Sequence, residues 1–324
     1  MRSLTRIALV LACLASPIWA FGQAYPAKSI KILSTIPLGG SGDVAIRLVA
    51  AKLSAALGQP VVVETNGAGG GVVAARMVVH AAPDGYTLFH SSNGALAASV
   101  FLTKNLGYHP LKDFAPISLI AHSPSFIAVN SSVPVNSVKE LVDYAKKNPG
   151  KLSYASNGVG SFFYLTGETF KMAAGVDILH VPYTGGNVSV GFNDFLSGRV
   201  DVFYPSLTLA GPQLSSGRLK LLAVLNDKRL KKTPDVPTIA EAFPAYTPMP
   251  SWFALVGPAQ LPHPVALRLQ GEIAKTIADP EVSGRLSDLG MSGVGSTPEA
   301  LTATMKSTID FIGKAVTALH LQPQ

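Results

Sequence analysis

The sequence predicts an α/β protein of two lobes, and the prediction rests on how its segments alternate. Short apolar stretches typical of strands, such as "SIKILSTI" and "LSYAS", are separated by longer helical patterns along the chain. This alternation is typical of parallel sheets that carry helices on both faces. Because one such sheet would be large for a chain of 324 residues, we expect two smaller sheets, each with its own core.

Residues 1–24 have the features of a signal peptide. Arg2 and Arg6 form a positively charged start, and the apolar stretch "IALVLACLA" that follows is too short to span a bilayer. The small-residue segment Gly22-Gln23-Ala24 suits cleavage before Tyr25. We therefore expect an exported, periplasmic protein whose mature chain begins at Tyr25.

The only cysteine, Cys13, lies inside this segment. A lipoprotein anchor at Cys13 is the alternative, although Leu11 suits a lipobox poorly. Without Cys13, the mature chain has no residue for a disulfide, a thiolate metal site or a cysteine nucleophile. Loss of Arg2 and Arg6 lowers the formal charge from +7 to +5, since 24 of 26 basic residues then face 19 acidic ones. This charge suits an anionic ligand but is too diffuse to predict binding to nucleic acid.

Two extended stretches, "SLIAHSPSFIAVN" and "TPMPSWFALVGP", are interpreted as crossings between the two sheets. They divide the mature chain into lobe one, residues 25–122 plus 250–324, and lobe two, residues 123–249. Each lobe then contains several alternating strands and helices, enough to form a core of its own.

The elements of lobe one follow from its sequence patterns. "SIKILSTI" and "VVVET" are predicted to be buried strands, and residues 43–57 are predicted to form a helix that Gly58 ends. The last helix is predicted over residues 297–319. It starts with "TPEA", which places a proline at the first helical position.

The elements of lobe two show the same alternation. Ser137 is the predicted N-cap of a helix, with Glu140 at the third helical position. A second helix is predicted from Phe162 to about Ala174. The apolar stretches "ILHVPY" and "VDVFYPS" are predicted to be strands.

A glycine-rich loop joins a strand to a helix in each predicted lobe. The first is Pro37-Leu38-Gly39-Gly40-Ser41-Gly42, and the second is Asn157-Gly158-Val159-Gly160-Ser161. In open parallel sheets, ligands bind beyond the carboxyl ends of the strands, where such loops lie. Helix N-termini offer free N–H groups and a partial positive charge, so two loops facing one cleft predict a carboxylate or phosphate site. For Asp43, capping of its own helix is the alternative to a ligand contact.

Motifs for catalysis, metals or nucleotides are weak. The sequence has no G-x-S-x-G or H-E-x-x-H motif, and its seven histidines have no spacing typical of metal ligands. Gly67 and Gly69 have the spacing of a dinucleotide-binding motif, but Val72 stands at the third glycine position. We therefore expect no catalytic residue, no metal and no cofactor. A secreted α/β hydrolase or isomerase is the weaker alternative.

Several stretches together carry a family resemblance. They include "PLGGSGDVAIRLVAAKLSAALGQPVVVE", "AAPDGYTL", "SVKELVDYAKKNPGKLSYAS" and "HVPYTGG", and they extend over nearly all of the mature chain. With them the sequence resembles the solute-binding proteins of tripartite tricarboxylate transporters, the Bug-type periplasmic receptors. The resemblance implies a two-lobed periplasmic-binding-protein (Venus flytrap) fold of type II with two crossover strands. It also implies a monomer that captures a small carboxylate for the membrane subunits of such a transporter.

The resemblance further implies a ligand site at the two loops. In that family the first loop, here Pro37–Gly40, holds one end of the ligand mainly by backbone groups and ordered water. The second loop, here Ser156–Ser161, holds a carboxylate at a helix N-terminus. With the neighbouring strand ends, the predicted ligand-binding residues are Pro37, Leu38, Gly39, Gly40, Asp43, Ser91, Ser92, Asn93, Ser156, Asn157, Gly160, Ser161, Phe162, Thr184 and Tyr204.

Three departures from the family pattern bear on the ligand. Leu38 stands where a second proline is usual, and Phe162, Phe163 and Tyr164 stand where small or polar residues and a histidine are usual. Tyr204 stands near the usual place of an acid that can hold an amino group. Because these changes remove polarity and add aromatic faces, we expect an aromatic carboxylate such as terephthalate.

Two alternatives stay open at this point. In the first, the ligand is an aliphatic di- or tricarboxylate. In the second, the protein is a sensor subunit that presents its liganded form to a signalling kinase. Core packing is also an alternative explanation for Phe163 or Tyr164, because only one face of their helix meets the cleft.

Overall fold

The computed structural model describes residues 25–183 and 188–323, and it contains two separate β-sheets. The predicted signal peptide, residues 1–24, therefore lies outside the described residues. The strands are β1 (Ile30–Ser34), β2 (Val61–Thr65), β3 (Thr87–Ser92), β4 (Phe114–His122), β5 (Phe126–Asn130), β6 (Ser153–Ser156), β7 (Leu179–Pro182), β8 (Val202–Phe203), β9 (Leu219–Val224), β10 (Trp252–Pro258) and β11 (Ser292–Gly293). The α-helices are α1 (Ser41–Leu57), α2 (Val72–Val79), α3 (Ser99–Leu102), α4 (Val138–Lys147), α5 (Phe162–Ala174), α6 (Val188–Leu196), α7 (Leu207–Ala210), α8 (Ile239–Ala242), α9 (His263–Ala278), α10 (Pro280–Asp288) and α11 (Pro298–Ala318).

Both sheets are mixed rather than wholly parallel. Sheet one has the order β11-β4-β10-β3-β1-β2, and sheet two has the order β7-β6-β8-β5-β9. Strand β1 runs parallel to β2 and β3, as β6 does to β7 and β8. The strands in which the two crossings end, β5 and β10, pair antiparallel with both neighbours. The expectation of parallel sheets is wrong for these strands, because a strand entering from the other lobe runs against those already present.

The two sheets divide the chain at the predicted crossings. Sheet one takes its strands from residues 30–122 and 252–293, and sheet two takes its strands from residues 126–224. The lobe boundaries stay a prediction, which this division supports.

Helices cover both faces of each sheet, as expected. α1 and α9 pack on one face of sheet one around Ile46 and Leu269, whereas α2 and α11 pack on the other face around Trp252. On sheet two, α4 and α5 pack around Phe170, and α6 packs around Phe195 on the opposite face. No helix within residues 25–183 and 188–323 is long and apolar enough to cross a membrane.

The helix limits in lobe two match the sequence prediction. α5 runs from Phe162 to Ala174, and Gly175 closes it in the left-handed conformation with φ 60°. The Ser137 hydroxyl accepts a hydrogen bond from the Glu140 N–H at 3.1 Å, as expected of an N-cap. A side-chain hydroxyl and a terminal glycine therefore fix these limits locally.

Two elements of lobe one differ from the prediction. α1 begins at Ser41 rather than Asp43, because the extended Gly40 (φ −66°, ψ 157°) acts as N-cap without a side chain. The stretch "VVVET" forms β2 but is not a buried strand, since β2 lies at the edge of sheet one and only Val61 is buried. A run of valines cannot by itself distinguish an edge strand from a central one.

Candidate ligand-binding cleft

A cavity of about 330 Å³ lies between the two sheets. This volume is near the lower end of the range of about 300–1,000 Å³ for small-molecule sites. The lining residues come from both predicted lobes and from the crossings that join them. They are Ile36, Pro37, Leu38, Gly39, Gly40, Ser41, Ser92, Asn93, Ser123, Ser125, Asn157, Phe162, Phe163, Ser189, Tyr204, Ser206, Thr208, Leu209, Ser251 and Phe253.

Among the described residues, those that line the cavity include no charged side chain. The polar lining consists of serine and threonine hydroxyls, the amides of Asn93 and Asn157, and Tyr204. The apolar lining includes Leu38, which is 72% exposed at the first loop. An anion in this cavity would be held by hydroxyls, amides and main-chain N–H groups, without an ion pair to a lining residue.

The first glycine loop is fixed by Asp43, which does not itself line the cavity. Asp43 is 3% exposed, and its carboxylate accepts hydrogen bonds from the Gly39 N–H at 3.1 Å and from Arg47 Nε at 2.9 Å. Gly39 has a φ of +77°, which glycine adopts without strain. Asp43 therefore orders the loop from below, so that Gly39 and Gly40 reach the cavity.

A close approach at Gly42 fixes one wall of the cavity. A Cβ atom at Gly42 would lie 2.6 Å from Cε1 of Phe253, closer than any real contact. Glycine at this position lets the start of α1 pack directly against the Phe253 ring. Phe253 in turn lines the cavity, so the third glycine of the loop shapes the site without contacting it.

The end of β3 contributes two lining residues above a buried polar layer. Asn93 Nδ2 donates a hydrogen bond to the Pro250 carbonyl at 2.8 Å, and Ser92 Oγ accepts one from the Gly94 N–H at 3.2 Å. Ser91 points into the layer below, where its Oγ lies 2.8 Å from Thr35 Oγ1. Ser92 and Asn93 thus line the cavity, whereas Ser91 lies in the polar layer beneath them.

The second glycine loop is anchored by Ser156. Its Oγ accepts a hydrogen bond from the Gly158 N–H at 3.0 Å and lies 2.6 Å from His180 Nε2. Asn157, between these anchors, lines the cavity. Ser156 is 2% exposed and is not among the lining residues. Although Ser156 and His180 are at the distance of a nucleophile and its base, the hydroxyl does not reach the cavity.

The remaining predicted residues of this loop also lie outside the cavity lining. Ser161 is the N-cap of α5, where its Oγ accepts a hydrogen bond from the Tyr164 N–H at 3.3 Å. At Gly160 (φ +81°), a Cβ atom would lie 3.0 Å from Leu102 Cδ1 of lobe one. Gly160 therefore lies where the two lobes touch.

Two aromatic rings at the start of α5 face the cavity. Phe162 and Phe163 both line it, with their ring centroids 5.7 Å apart in an edge-to-face arrangement. Phe163 also packs against Phe203 in the core of lobe two. Tyr164 turns away and packs edge-on against His180 at 4.8 Å. Core packing therefore accounts for Tyr164 and for part of the Phe163 ring.

Tyr204 lines the cavity, but its hydroxyl is buried within lobe two. The ring packs edge-on against Tyr154, and the hydroxyl has no hydrogen-bond partner among the described residues. Burial raises the pKa of Tyr204 well above its usual value. The hydroxyl is therefore protonated.

The structure brings most of the predicted ligand-binding residues to one cavity. Those that line it are Pro37, Leu38, Gly39, Gly40, Ser92, Asn93, Asn157, Phe162 and Tyr204. Those that lie beside or beneath it are Asp43, Ser91, Ser156, Gly160 and Ser161. Thr184 lies outside the described residues.

Sequence reasoning missed the part of the lining that comes from the crossings. Ser123 and Ser125 lie on the first crossing, between β4 and β5, and Ser251 and Phe253 lie on the second. Chain segments that connect two lobes form the base of the cleft between them. The polar residues of "AHSPSF" and "PSWF" were therefore a usable signal. Among the described residues, no group of three or more side chains is suited to hold a metal ion.

Comparisons with known proteins agree with this arrangement. Residues 45–319 match the model of the tripartite tricarboxylate transporter family receptor. Protein BugT of Bordetella pertussis is 32% identical over 295 residues, which cover 90% of this chain and 89% of BugT.

Two solved structures are similar to this chain over most of its length. The periplasmic binding protein BugD has a TM-score of 0.81 and 31% identity, covering 93% of this chain and 100% of BugD. R. palustris Rpa4515, solved with adipate, has a TM-score of 0.84 and 30% identity, covering 93% of this chain and 100% of that one. The predicted two-lobed fold of periplasmic binding proteins is confirmed.

Proposed function

Because the chain belongs to the tripartite tricarboxylate transporter receptor family, we propose that it captures a small carboxylate and delivers it to the membrane subunits of such a transporter. The observation that carries the proposal is the cavity between the sheets, which both glycine loops border. The neutral hydrogen-bond donors of the cavity, together with the N-termini of α1 and α5 beside it, suit a desolvated anion.

The apolar lining favours a ligand with a flat, apolar body. Phe162 and Phe163 form one side of the cavity, and Ile36 and Leu38 add apolar surface from the first loop. Aromatic rings stack on each other with a gain of about 0.5–1.5 kcal/mol beyond the area they bury. We therefore propose an aromatic carboxylate such as terephthalate over an aliphatic one. Adipate, with which the structure of the R. palustris neighbour was solved, is the matched aliphatic probe.

A ligand screen tests the proposed receptor function. Purified mature protein is heated with aromatic and aliphatic mono-, di- and tricarboxylates, because a ligand that binds only the native state raises the melting temperature. Hits are then titrated by calorimetry with and without a chelator. We expect terephthalate to raise the melting temperature more than adipate does. We also expect binding to be unchanged in the presence of the chelator. Absence of a shift with every carboxylate would contradict the proposal.

Phe162→Ala tests the proposed ligand class. Removal of the ring should weaken terephthalate binding by about threefold to tenfold, since stacking and buried apolar area are both lost. Adipate, which cannot stack, should lose less. Met172→Ala is the matched control, because Met172 is exposed on the same helix, α5. Equal losses for terephthalate and adipate would remove the support for an aromatic ligand.

We further propose that residues 1–24 are removed on export and that the mature protein is a periplasmic monomer. Its lobes would comprise residues 25–122 plus 250–324 and residues 123–249, and the strand membership of the two sheets supports these boundaries. Intact-mass analysis of protein from a periplasmic extract tests the cleavage before Tyr25. Light scattering at the concentrations used for binding tests the monomer.

A further inference from the structure

The pair Ser156 and His180 lies directly beneath the second glycine loop. Ser156 ends β6, and its Oγ lies 2.6 Å from Nε2 of His180, on the parallel neighbour β7. The same Oγ accepts the Gly158 N–H hydrogen bond at 3.0 Å. Asn157, which lines the cavity, lies between Ser156 and Gly158, the two residues that this hydrogen bond joins.

The His180 ring is fixed by the elements packed against it. The ring centroid of Tyr164 lies 4.8 Å away and that of Tyr154 lies 5.1 Å away. Charged groups on α5 also face this cluster. Glu168 Oε1 accepts hydrogen bonds from the Tyr154 hydroxyl at 2.7 Å and from Lys171 Nζ at 2.8 Å. His180 stays half-buried, so its orientation is set while protons from solvent can still reach it.

We infer that His180 is a positioning residue for the ligand, which holds the second loop through Ser156 and, when protonated, adds a positive charge beneath it. This inference rests on the proposed function, because its effect on affinity requires a carboxylate in the cleft. His180 acts through Ser156 and Gly158 rather than by contact with the ligand.

Both protonation states of His180 keep the loop in place. When Nε2 is unprotonated, it accepts the Ser156 O–H, and Ser156 Oγ is free to accept the Gly158 N–H. When Nε2 is protonated, it donates to Ser156 Oγ, and the Ser156 O–H can turn to the Gly158 carbonyl at 3.2 Å. Loss of the imidazole nitrogen removes the hydrogen-bond partner of the Ser156 hydroxyl, so the second glycine loop is held less firmly.

Protonation of His180 should strengthen binding of an anion. Burial is the main cause that lowers the pKa of His180 below its usual 6.5; Glu168 raises that pKa and Lys171 lowers it. A carboxylate held by the loop favours the cationic form of His180. Affinity should therefore rise as the pH falls toward the lowered pKa of His180, until the ligand's own carboxylates protonate near a pKa of about 4.

The first experiment needs no ligand. Hydrogen exchange of the peptide spanning residues 153–165 is measured in the wild type, His180→Phe and His180→Gln. Phenylalanine keeps the ring packing but lacks the nitrogen, whereas the glutamine amide can reach the position of Nε2. We expect faster exchange in His180→Phe and recovery in His180→Gln, with the first glycine loop unchanged. His80→Phe, at an exposed histidine in lobe one, is the control. Unchanged exchange in His180→Phe would overturn the positioning role.

The second experiment measures affinity by calorimetry from pH 7 to about pH 5, with terephthalate and adipate as probes. At pH 7, His180→Phe should bind about threefold to tenfold more weakly, as expected for one lost hydrogen bond. His180→Gln should bind within about twofold of the wild type but lack its increase in affinity at lower pH. An identical pH profile in wild type and His180→Gln would overturn the charge effect. If the wild type binds no carboxylate, the proposed function fails, and the exchange experiment still decides whether His180 holds the loop.

Discussion

Each lobe has a serine–histidine pair beneath its glycine loop, and the two pairs differ mainly in burial. Ser34 ends β1 as Ser156 ends β6, and each hydroxyl accepts a hydrogen bond from the N–H two residues later, at 3.3 and 3.0 Å. Each hydroxyl also lies beside a histidine of the parallel neighbouring strand. His90 Nδ1 is 3.0 Å from Ser34 Oγ, and His180 Nε2 is 2.6 Å from Ser156 Oγ.

The difference in burial gives the two histidines different properties. His90 is completely buried, and its burial lowers its pKa to about 3, although the nearby Asp43 raises it. His180 is only half-buried, and its pKa is lowered from 6.5 for the same reason. The same local arrangement thus gives a neutral ring beneath the first loop and a ring that can be protonated beneath the second. The first loop instead has the Asp43 carboxylate beside it, which accepts the Gly39 N–H hydrogen bond.

The largest expected effect is the acid sensitivity that His90 confers. Between pH 6.5 and about 3, the unfolded chain binds a proton at His90 that the folded protein excludes, so stability is present above this window and is lost as the pH falls. From pH 7 to pH 4 the loss from His90 should be about 3 kcal/mol. His90→Asn keeps a polar atom near Ser34 but does not titrate. On the same acidification, its free energy of unfolding should fall by about 3 kcal/mol less than that of the wild type.

Urea unfolding at the two pH values measures this difference. His180→Gln is the comparison variant, and its pH dependence should stay closer to that of the wild type. If wild type and His90→Asn lose the same unfolding free energy on acidification, the buried neutral histidine is not the cause of acid sensitivity.

The second prediction compares the anchors of the two loops. Asp43→Ala removes the acceptor of the Gly39 N–H, and hydrogen bonds to a charged group contribute about 1.5–3 kcal/mol. Because the Arg47 side chain is 44% exposed, solvent screens its ion pair with Asp43, and we expect a total loss of about 2 kcal/mol. Ser156→Ala, which removes a neutral acceptor, should lose about 1 kcal/mol. Chemical denaturation of both variants decides the order, and a larger loss for Ser156→Ala would reverse our assignment of the stronger anchor.

The sequence predicted the parts of the site that depend on local order. The helix starts after Ser137 and Ser161 follow from residues within a few positions of each other, and the structure has them as predicted, whereas α1 begins at Ser41, two residues before the predicted start. The serine–histidine pairs could not be predicted in this way. Ser34 and His90 are 56 positions apart, and they meet only because β1 and β3 become neighbours in a specific register.

Whether a side chain faces the cavity also depends on tertiary structure. Asp43, Ser91 and Ser156 lie at the predicted loops and strand ends, yet each turns toward the layer beneath the cavity. The family resemblance identified the segments, but the orientation of each side chain depends on the strand pairing and on the hydrogen bonds available nearby.

The third prediction concerns Ser161, whose hydroxyl has two alternative roles. As the N-cap of α5 it accepts the Tyr164 N–H, so Ser161→Ala should lower the unfolding free energy by about 1 kcal/mol. Because Ser161 is not among the residues lining the cavity, we expect terephthalate affinity to change by less than about threefold. Ser137→Ala, an N-cap in the same lobe but far from the loop, is the matched control for stability. A tenfold loss of affinity in Ser161→Ala would instead place its hydroxyl on the ligand.

The smallest expected effect is that of the Tyr204 hydroxyl. This buried group has no partner among the described residues, and an unsatisfied buried polar group costs about 1–3 kcal/mol. Tyr204→Phe should therefore raise the unfolding free energy slightly, by up to about 1 kcal/mol, and leave terephthalate affinity unchanged.

Tyr246→Phe is the matched control for Tyr204, because both tyrosines are buried in the same core of lobe two. The Tyr246 hydroxyl has partners, since it donates to the Thr166 carbonyl at 3.3 Å and lies 3.2 Å from Thr169 Oγ1. Its removal should lower stability by about 0.5–1.5 kcal/mol, opposite in sign to Tyr204→Phe. If both variants are destabilised equally, the Tyr204 hydroxyl has a partner in solution. A simultaneous loss of affinity would indicate that this partner is reached from the cleft, which would give Tyr204 a polar role in binding.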